Sequence, residues 1–508
     1  CGMEQGNDVY ENQELPVVAS DVDCILLTHA HIDHSGLIPL MYVNGFRGQV
    51  YSTSATAQLC EIMLRDSAHI QMFEAEWRNR KAARSGGKLK EFVPLYDMDA
   101  AVNVCKQFVG CEYDKIYNIA DGIKIRFTDV GHLLGSASIE VWATEKTENG
   151  DVTEKIVFSG DIGNINKPII KDPKHVTDAD YVVMESTYGN RSHGGTPNYV
   201  EDLTNIFKRT FERGGNVVIP SFAVGRTQEL LYIIRKIKED NLVGRDFDVY
   251  MDSPLAIEAT NIFIKNVESC FDDEAVELVR KGINPLSFPG LKYATTGDES
   301  KQINFDPNPK VIISSSGMCE AGRIRHHLKH NLWRPECTIV FVGYQAVGTT
   351  GRIIVDGAEE IKLFGEPIQI KAEIVQLKGS SGHADKDGLL CWINAFDRKP
   401  KKVFVVHGED SVCDEFTECL KEEYGYDAMA PYTGGSYDLI ADRVISEGVK
   451  ERKTRRTTST QRGKTVFDRL VAAGKRLMTV ITHNEGGTNK DLAKFTDQIN
   501  ALCDKWDR

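Results

Sequence analysis

Apolar runs of four to six residues alternate with stretches of helical periodicity along most of this chain, the pattern of an α/β architecture. Five predicted strands matter most: CILLT (24–28), IKIRFTDVG (123–131), KIVFSG (155–160), DYVVM (180–184) and KVFVV (402–406). Each runs directly into a residue able to bind metal or move a proton, in turn His29, His132, Asp161, Glu185 and His407. Side chains at the ends of neighbouring strands converge on one rim of a sheet, where α/β proteins commonly place their sites. The pattern therefore predicts a single rim supplied by distant segments.

Between 189 and 378 a second α/β pattern appears. NVVIPSFAVGRTQELLYII (216–234), FDVYMDSPLAIEATNIF (247–263), KVIISSSGMCEAGRIRHHL (310–328) and CTIVFVGYQAVGTTGR (337–352) each send a short strand into a Gly/Ser/Pro turn, followed in the first three by helical periodicity. The last ligand-bearing strand follows this block, so the block reads as an insertion. The expected units are 1–188 and 379–447, two parts of one domain, 189–378 inserted between them, and a tail from 448 to 508. The tail opens with KERKTRRTTSTQRGK (450–464), which holds seven Lys/Arg and one Glu. Two helical patterns follow, marked by Phe467, Leu470, Val471 and Leu477, then Leu492, Phe495, Ile499, Leu502 and Trp506.

A length of 508 residues fits two to four domains. With 41% hydrophobic residues the chain is neither a disordered acidic protein nor a disulfide-rich module. No apolar run approaches ~18 residues, which excludes a transmembrane helix. The 12 cysteines form no C-x-x-C pair and mostly sit in apolar segments, as reduced thiols of a cytoplasmic protein do. The net charge of −13 argues at first against a nucleic-acid binder. However, the tail alone carries +7 and the preceding 447 residues −20, with several of those acids assigned to a metal site. Charge thus excludes only binding by bulk electrostatics and leaves room for local recognition of phosphate.

The candidate chemistry is concentrated in six residues. His29, His31, Asp33 and His34 fall within 29–34, although the chain holds only 13 histidines. After an extended strand, His29 and His31 point the same way and share one ion, while the following turn brings Asp33 and His34 to a second. Imidazole and carboxylate suit Zn²⁺, with Mn or Fe as alternatives. His132 completes the first ion's shell, Asp161 bridges both, and His407 completes the second. Two such ions clamp the oxygens of an in-line displacement. His326 and His330, one turn apart on GRIRHHLKHNLWR (322–334), have no carboxylate partner on that helix face. That segment's Arg323, Arg325, Lys329 and Arg334 fit either an RNA-tracking face or a solvated one.

This arrangement resembles the metallo-β-lactamase fold, an αββα sandwich. Glu185 in ESTYG, His383 in SSGHAD and His407 in VVHGE match motifs A, B and C of its β-CASP branch, which acts on nucleic acids. The resemblance covers about residues 1–447 and is closest to prokaryotic relatives of the endonuclease subunit that cleaves pre-mRNA 3′ ends. It implies an inserted β-CASP domain, two Zn²⁺ per chain, and single-stranded RNA as substrate, since His at motif C accompanies RNA. Resemblance and chemistry together imply phosphodiester hydrolysis by a hydroxide bridging the two ions. His383 is the general acid for the leaving 3′-oxygen, oriented by Glu185. Ser221, Gly225 and Arg226 in SFAVGRTQ, with Ser316 and Gly317 in SSSGM, sit at strand-to-helix turns where free N–H groups favour a phosphate. The expected activity is endonucleolytic. A 5′-exonuclease of the same branch, a non-catalytic RNA-binding scaffold, and a small-molecule ester hydrolase are the alternatives. The tail offers docking, homodimerisation or RNA binding. The family carries an Asp before a Cys-Gly pair, whereas this chain opens at Cys1-Gly2-Met3, so the first strands are expected to be missing from it.

Overall fold

A computed structural model describes residues 15–84, 92–148, 150–192, 194, 198–377, 381–450 and 489–506, with scattered tail positions between 470 and 484. The opening Cys1-Gly2-Met3, the basic run beyond Lys450 and Phe467 lie outside the described residues.

Strands with buried runs, such as Tyr181–Glu185 and the first half of Ala137–Thr147, build a seven-stranded sheet. Its order is Ala428–Met429, Lys402–Val406, Tyr181–Glu185, Gly150–Phe158, Ala137–Thr147, Ile123–Asp129 and Tyr117–Ala120. The last four form an antiparallel meander, and the others join in parallel. A three-stranded parallel sheet of Cys24–Leu26, Gln49–Thr53 and Phe108–Cys111 stands apart from it. The predicted strand before His29 thus belongs to this smaller sheet. The rim is shared between two sheets, where the sequence pattern alone suggested one.

The chain makes a long excursion between two neighbouring strands. Lys402–Val406 pairs in parallel with Tyr181–Glu185, with Val406 opposite Glu185. Between them in the chain, among helices and loops, lies a six-stranded parallel sheet in the order Leu291–Tyr293, Asp248–Asp252, Lys310–Ser314, Val217–Pro220, Thr338–Phe341 and Glu373–Gln376. Its central strands are buried throughout, as continuous Val/Ile runs covered on both faces should be. Gly215 permits one close approach: a Cβ there would lie 1.8 Å from the Glu336 carbonyl oxygen.

The largest buried apolar cluster takes in Leu59 and Leu64, Leu133 and Leu134, and Ile219 and Phe263. It therefore unites the long helix Ser54–Arg84, the turn after His132 and the six-stranded sheet in one core. A second cluster beneath the seven-stranded sheet, with Val182, Val405, Trp392 and Phe416, fixes the strands that carry Glu185 and His407. Among the described residues no helix is long and apolar enough to cross a membrane, and all described cysteines are free thiols.

Candidate metal centre

All seven predicted ligands meet at this rim, in two groups sharing one carboxylate. His29, His31, His132 and Asp161 place one ligand atom each within 4.8 Å of the others, and so do Asp33, His34 and His407. In the first group His31 Nδ1 lies 3.1 Å from His29 Nε2 and 3.2 Å from His132 Nε2. Asp161 Oδ2 is 3.3 Å from His29 Nε2 and 3.5 Å from His132 Nε2. The other oxygen, Oδ1, is 3.3 Å from His34 Nε2 and 3.6 Å from His407 Nε2. Asp33 Oδ2 closes the second group at 3.7 and 3.6 Å from the same two nitrogens.

These separations fit metal coordination. Ligands held ~2.0–2.1 Å from a tetrahedral ion are ~3.3–3.4 Å from one another. Asp161 is 1% exposed, yet neither of its carboxylate oxygens makes a hydrogen bond. A buried carboxylate without donors is costly unless a cation meets it. The histidines are also held in the ligand tautomer from behind. His132 Nδ1–H donates to the Gly382 carbonyl at 3.2 Å, which leaves Nε2 with its lone pair facing Asp161. Thr187 donates its hydroxyl to the His407 carbonyl at 3.2 Å and accepts from His407 Nδ1–H at 3.0 Å. That clasp also holds His407 at φ 52, a left-handed conformation uncommon for a non-glycine residue.

Burial sets the charge states. It is the main reason that His29 and His132 are lowered below the usual imidazole range and His31 to about 3. Burial opposes ionisation of Asp161 as well, but the surrounding His29, His407 and His383 outweigh it and keep the carboxylate charged. Asp33 is more exposed, and there His407 and His34 outweigh the partial loss of water and hold its pKa down.

His383 and Glu185 stand beside the two groups. Glu185, 1% exposed, accepts from the Ile162 N–H at 2.5 Å and from His383 Nδ1–H at 3.0 Å. With Nδ1 engaged, His383 presents Nε2 toward the centre, 3.9 Å from Asp161 Oδ2. Burial lowers the pKa of His383, yet Glu185 and Asp161 raise it by more, so the ring carries its second proton more readily than a free histidine. Glu185 also lies within 4.8 Å of Asp161 and His407, but its oxygens already serve Ile162 and His383.

The predicted phosphate-binding turns lie on the six-stranded sheet. Gly225 begins the helix Arg226–Glu239 at φ 85, with its N–H taken by Gln228 Oε1 at 2.7 Å. Leu133 Cδ1 would be 3.1 Å from a Cβ at Gly225, so this turn abuts the metal rim. Arg226 is paired with Glu229, and Ser221 is buried with its hydroxyl toward Thr227. Ser316 and Gly317 are not at a helix start: the helix Ile324–Asn331 begins several residues later, and Ser316 Oγ bonds within its own loop to Ala321. Of the basic residues on 322–334, Arg323 binds Asp252, Arg325 covers Phe364, Lys329 pairs with Glu366 and Arg334 with Glu336. His326 stacks on Phe364 and His330 lies against Phe305, so those two rings share no ion.

One contributor escaped sequence reading. Lys167 extends from the segment after Asp161 and donates to the His132 carbonyl at 2.9 Å. Nothing in the sequence marks Lys167; four residues earlier, a Cβ at Gly163 would fall 2.0 Å from the Gly131 carbonyl oxygen, so this segment runs close behind the centre.

Comparison with known proteins agrees with this geometry. Residues 1–165 match the metallo-beta-lactamase superfamily domain, 227–354 the Beta-Casp domain, and 367–431 the Zn-dependent metallo-hydrolase RNA specificity domain. The chain is 34% identical to ribonuclease TTHA0252 of Thermus thermophilus over 411 residues, 81% of this chain and 87% of that one. It is 31% identical over 414 residues to an RNase J-like protein of Methanocaldococcus jannaschii, covering 80% and 86%. Transcription termination factor FttA of Methanosarcina mazei is 31% identical over 445 residues, and this chain spans 66% of that factor's length.

Proposed function

Since the chain belongs to the β-CASP branch of the metallo-β-lactamase family, we propose that it is a metal-dependent ribonuclease that cuts single-stranded RNA internally. The observation that carries this reading is Asp161, whose two unbonded oxygens face two separate clusters of histidine and aspartate. We assign His29, His31, His132 and Asp161 to one divalent ion, and Asp33, His34, His407 and Asp161 to another. Zn²⁺ suits this donor set best, with Mn or Fe as alternatives. Two cations bound there supply an activated water and stabilise charge developing on the phosphoryl oxygens.

The protein's own groups do the rest. Asp33 sits at the open side of the centre, 46% exposed, where it orients the attacking water. His383 delivers the proton from Nε2 to the leaving 3′-oxygen, while Glu185 holds Nδ1 and favours the charged ring. We assign the loop Ser221–Arg226 to the substrate side, together with the Ser316–Gly317 turn that packs on it, where a Cβ at Gly317 would lie 3.0 Å from the Phe222 ring. Gly225 adjoins Leu133, so this loop is where the six-stranded sheet meets the rim. The domain boundaries read from the sequence remain our division of the chain. The cytoplasm, where RNA processing occurs and thiols stay reduced, is the compartment that fits.

Incubation of the metal-loaded protein with end-labelled single-stranded RNA, DNA and a chromogenic ester tests the reading. Internal RNA cuts abolished by a chelator are expected. Stepwise loss from the 5′ end would replace the endonuclease by the exonuclease form, and ester turnover without nuclease activity would overturn the reading altogether.

A further inference from the structure

A chain of buried charge ties a helix of the six-stranded sheet to a metal-ligand turn. Lys167 Nζ lies 3.3 Å from Glu229 Oε1 on the helix Arg226–Glu239, and Glu229 Oε2 is paired with Arg226. The Lys167 and Glu229 side chains are 11% and 8% exposed. The same ammonium donates to the carbonyl of His132 at 2.9 Å. That carbonyl belongs to a turn whose other bonds lie on its far side: His132 N–H and Leu133 N–H both go to Ser136 Oγ, at 3.0 and 3.1 Å, and the Thr53 and Thr56 hydroxyls to the Gly135 carbonyl.

The segment carrying Lys167 is itself anchored to the centre. Gly163 N–H donates to the Val130 carbonyl at 2.8 Å and Asn164 N–H to the Gly382 carbonyl at 3.3 Å. Gly382 O is also the acceptor for His132 Nδ1–H. His132 is therefore held at its ring by one end of this segment's network and at its backbone by Lys167. Only the second tie reaches the helix Arg226–Glu239.

We propose that Lys167 is a positioning residue that sets the placement of His132, and that Glu229 and Arg226 hold it there from the inserted sheet. An ordinary interdomain salt bridge would need only the charge pair. Lys167 does more, because one nitrogen serves both Glu229 and the backbone of a candidate ligand. Groups that orient ligands from behind typically change metal affinity or activity by about 10–100-fold when removed.

Zinc retention is the deciding measurement, read by competition between the full-length protein and a chromophoric chelator with Zn²⁺ alone as probe. Lys167→Met is expected to weaken retention about tenfold or more, while Lys167→Arg, which keeps donor and charge, stays within about threefold. The exchange Lys167→Glu with Glu229→Lys, made together with Arg226→Gln so that the new lysine faces no guanidinium, restores opposite charges but leaves the His132 carbonyl without its donor, so it is expected to stay weak. This exchange also decides the question should Lys167→Met fail to fold. Turnover of RNA should fall mainly in kcat, because the Lys167 ammonium acts on the His132 carbonyl behind the centre. Wild-type retention in Lys167→Met, or its full recovery in the charge exchange, would overturn the proposal. The zinc measurement stands apart from the ribonuclease reading, which fails independently if the wild-type protein cuts no RNA.

Discussion

His383→Ala removes the imidazole whose Nε2 faces the centre and leaves every candidate ligand untouched. Metal content should stay at the wild-type level while RNA cleavage falls by about 10²–10⁴-fold, the usual worth of a positioned general acid. Elemental analysis and single-turnover cleavage of the same preparation check both halves. Asp161→Asn is expected to act differently, lowering occupancy of both positions at once, since its two oxygens address separate groups. At this scale the sequence was highly informative. Three histidines and an aspartate in six positions are improbable by composition, and each distant ligand follows an apolar run. Lys167 had no such signal: it is one of 61 basic residues, and its partners His132 and Glu229 are 35 and 62 positions away. Arg226 shows the converse, since a basic residue at a helix start attracts a phosphate reading from sequence although a buried glutamate already pairs with it.

At the scale of elements, the middle of the meander carries a buried ion cluster that makes stability depend on pH. Glu140, opposite Arg126 in register, is 0% exposed and receives Arg126 at 2.7 and 2.6 Å, Lys155 at 2.7 Å and Thr128 at 2.8 Å. Burial raises its pKa, but these donors outweigh that and leave it below the ordinary value. A depressed folded-state pKa contributes stability above the unfolded value of about 4.3, and that stability is lost as pH falls through the folded value. Urea midpoints should therefore drop more steeply below about pH 4 in the wild type than in Glu140→Gln, which at neutral pH loses about 3–5 kcal/mol. A second test concerns the turn behind the centre. Gly163→Ala forces a methyl against the Gly131 carbonyl and should cost about 1–3 kcal/mol, with a visible fall in thermal midpoint. The elements themselves were readable from period and turn residues. Their order was not, because a strand before His29 looks the same whichever sheet it joins, and pairing is decided by contacts far along the chain.

For the whole molecule, the readable and unreadable parts divide in the same way. The expectation of a block inserted before the last ligand strand agrees with the pairing of Val406 beside Glu185, since everything from 186 to 401 departs from and returns to neighbouring strands. The tail was less legible. Its helix Asn489–Trp506 leaves Leu502 and Trp506 exposed, at 55% and 63%, and its role is open to a deletion test. Removing 448–508 should leave chelator-sensitive cleavage intact, as no candidate ligand lies in that span. Sedimentation of the same truncated protein reads whether the tail contributes to self-association.

The spacing of His34 and His407, 373 positions apart yet 3.1 Å from each other, has a consequence for the cell that makes this protein. A ribosome synthesises its chain while holding an RNA message. Until the strand Lys402–Val406 has emerged and joined Tyr181–Glu185, the second cluster lacks His407 and the proton donor at His383 has no finished wall beside it. On the proposed function, a nascent chain cannot complete the centre against its own template before that strand is made, and a product released earlier lacks the His407 of the second cluster. Drawing the site from segments this far apart delays its assembly until both have been made.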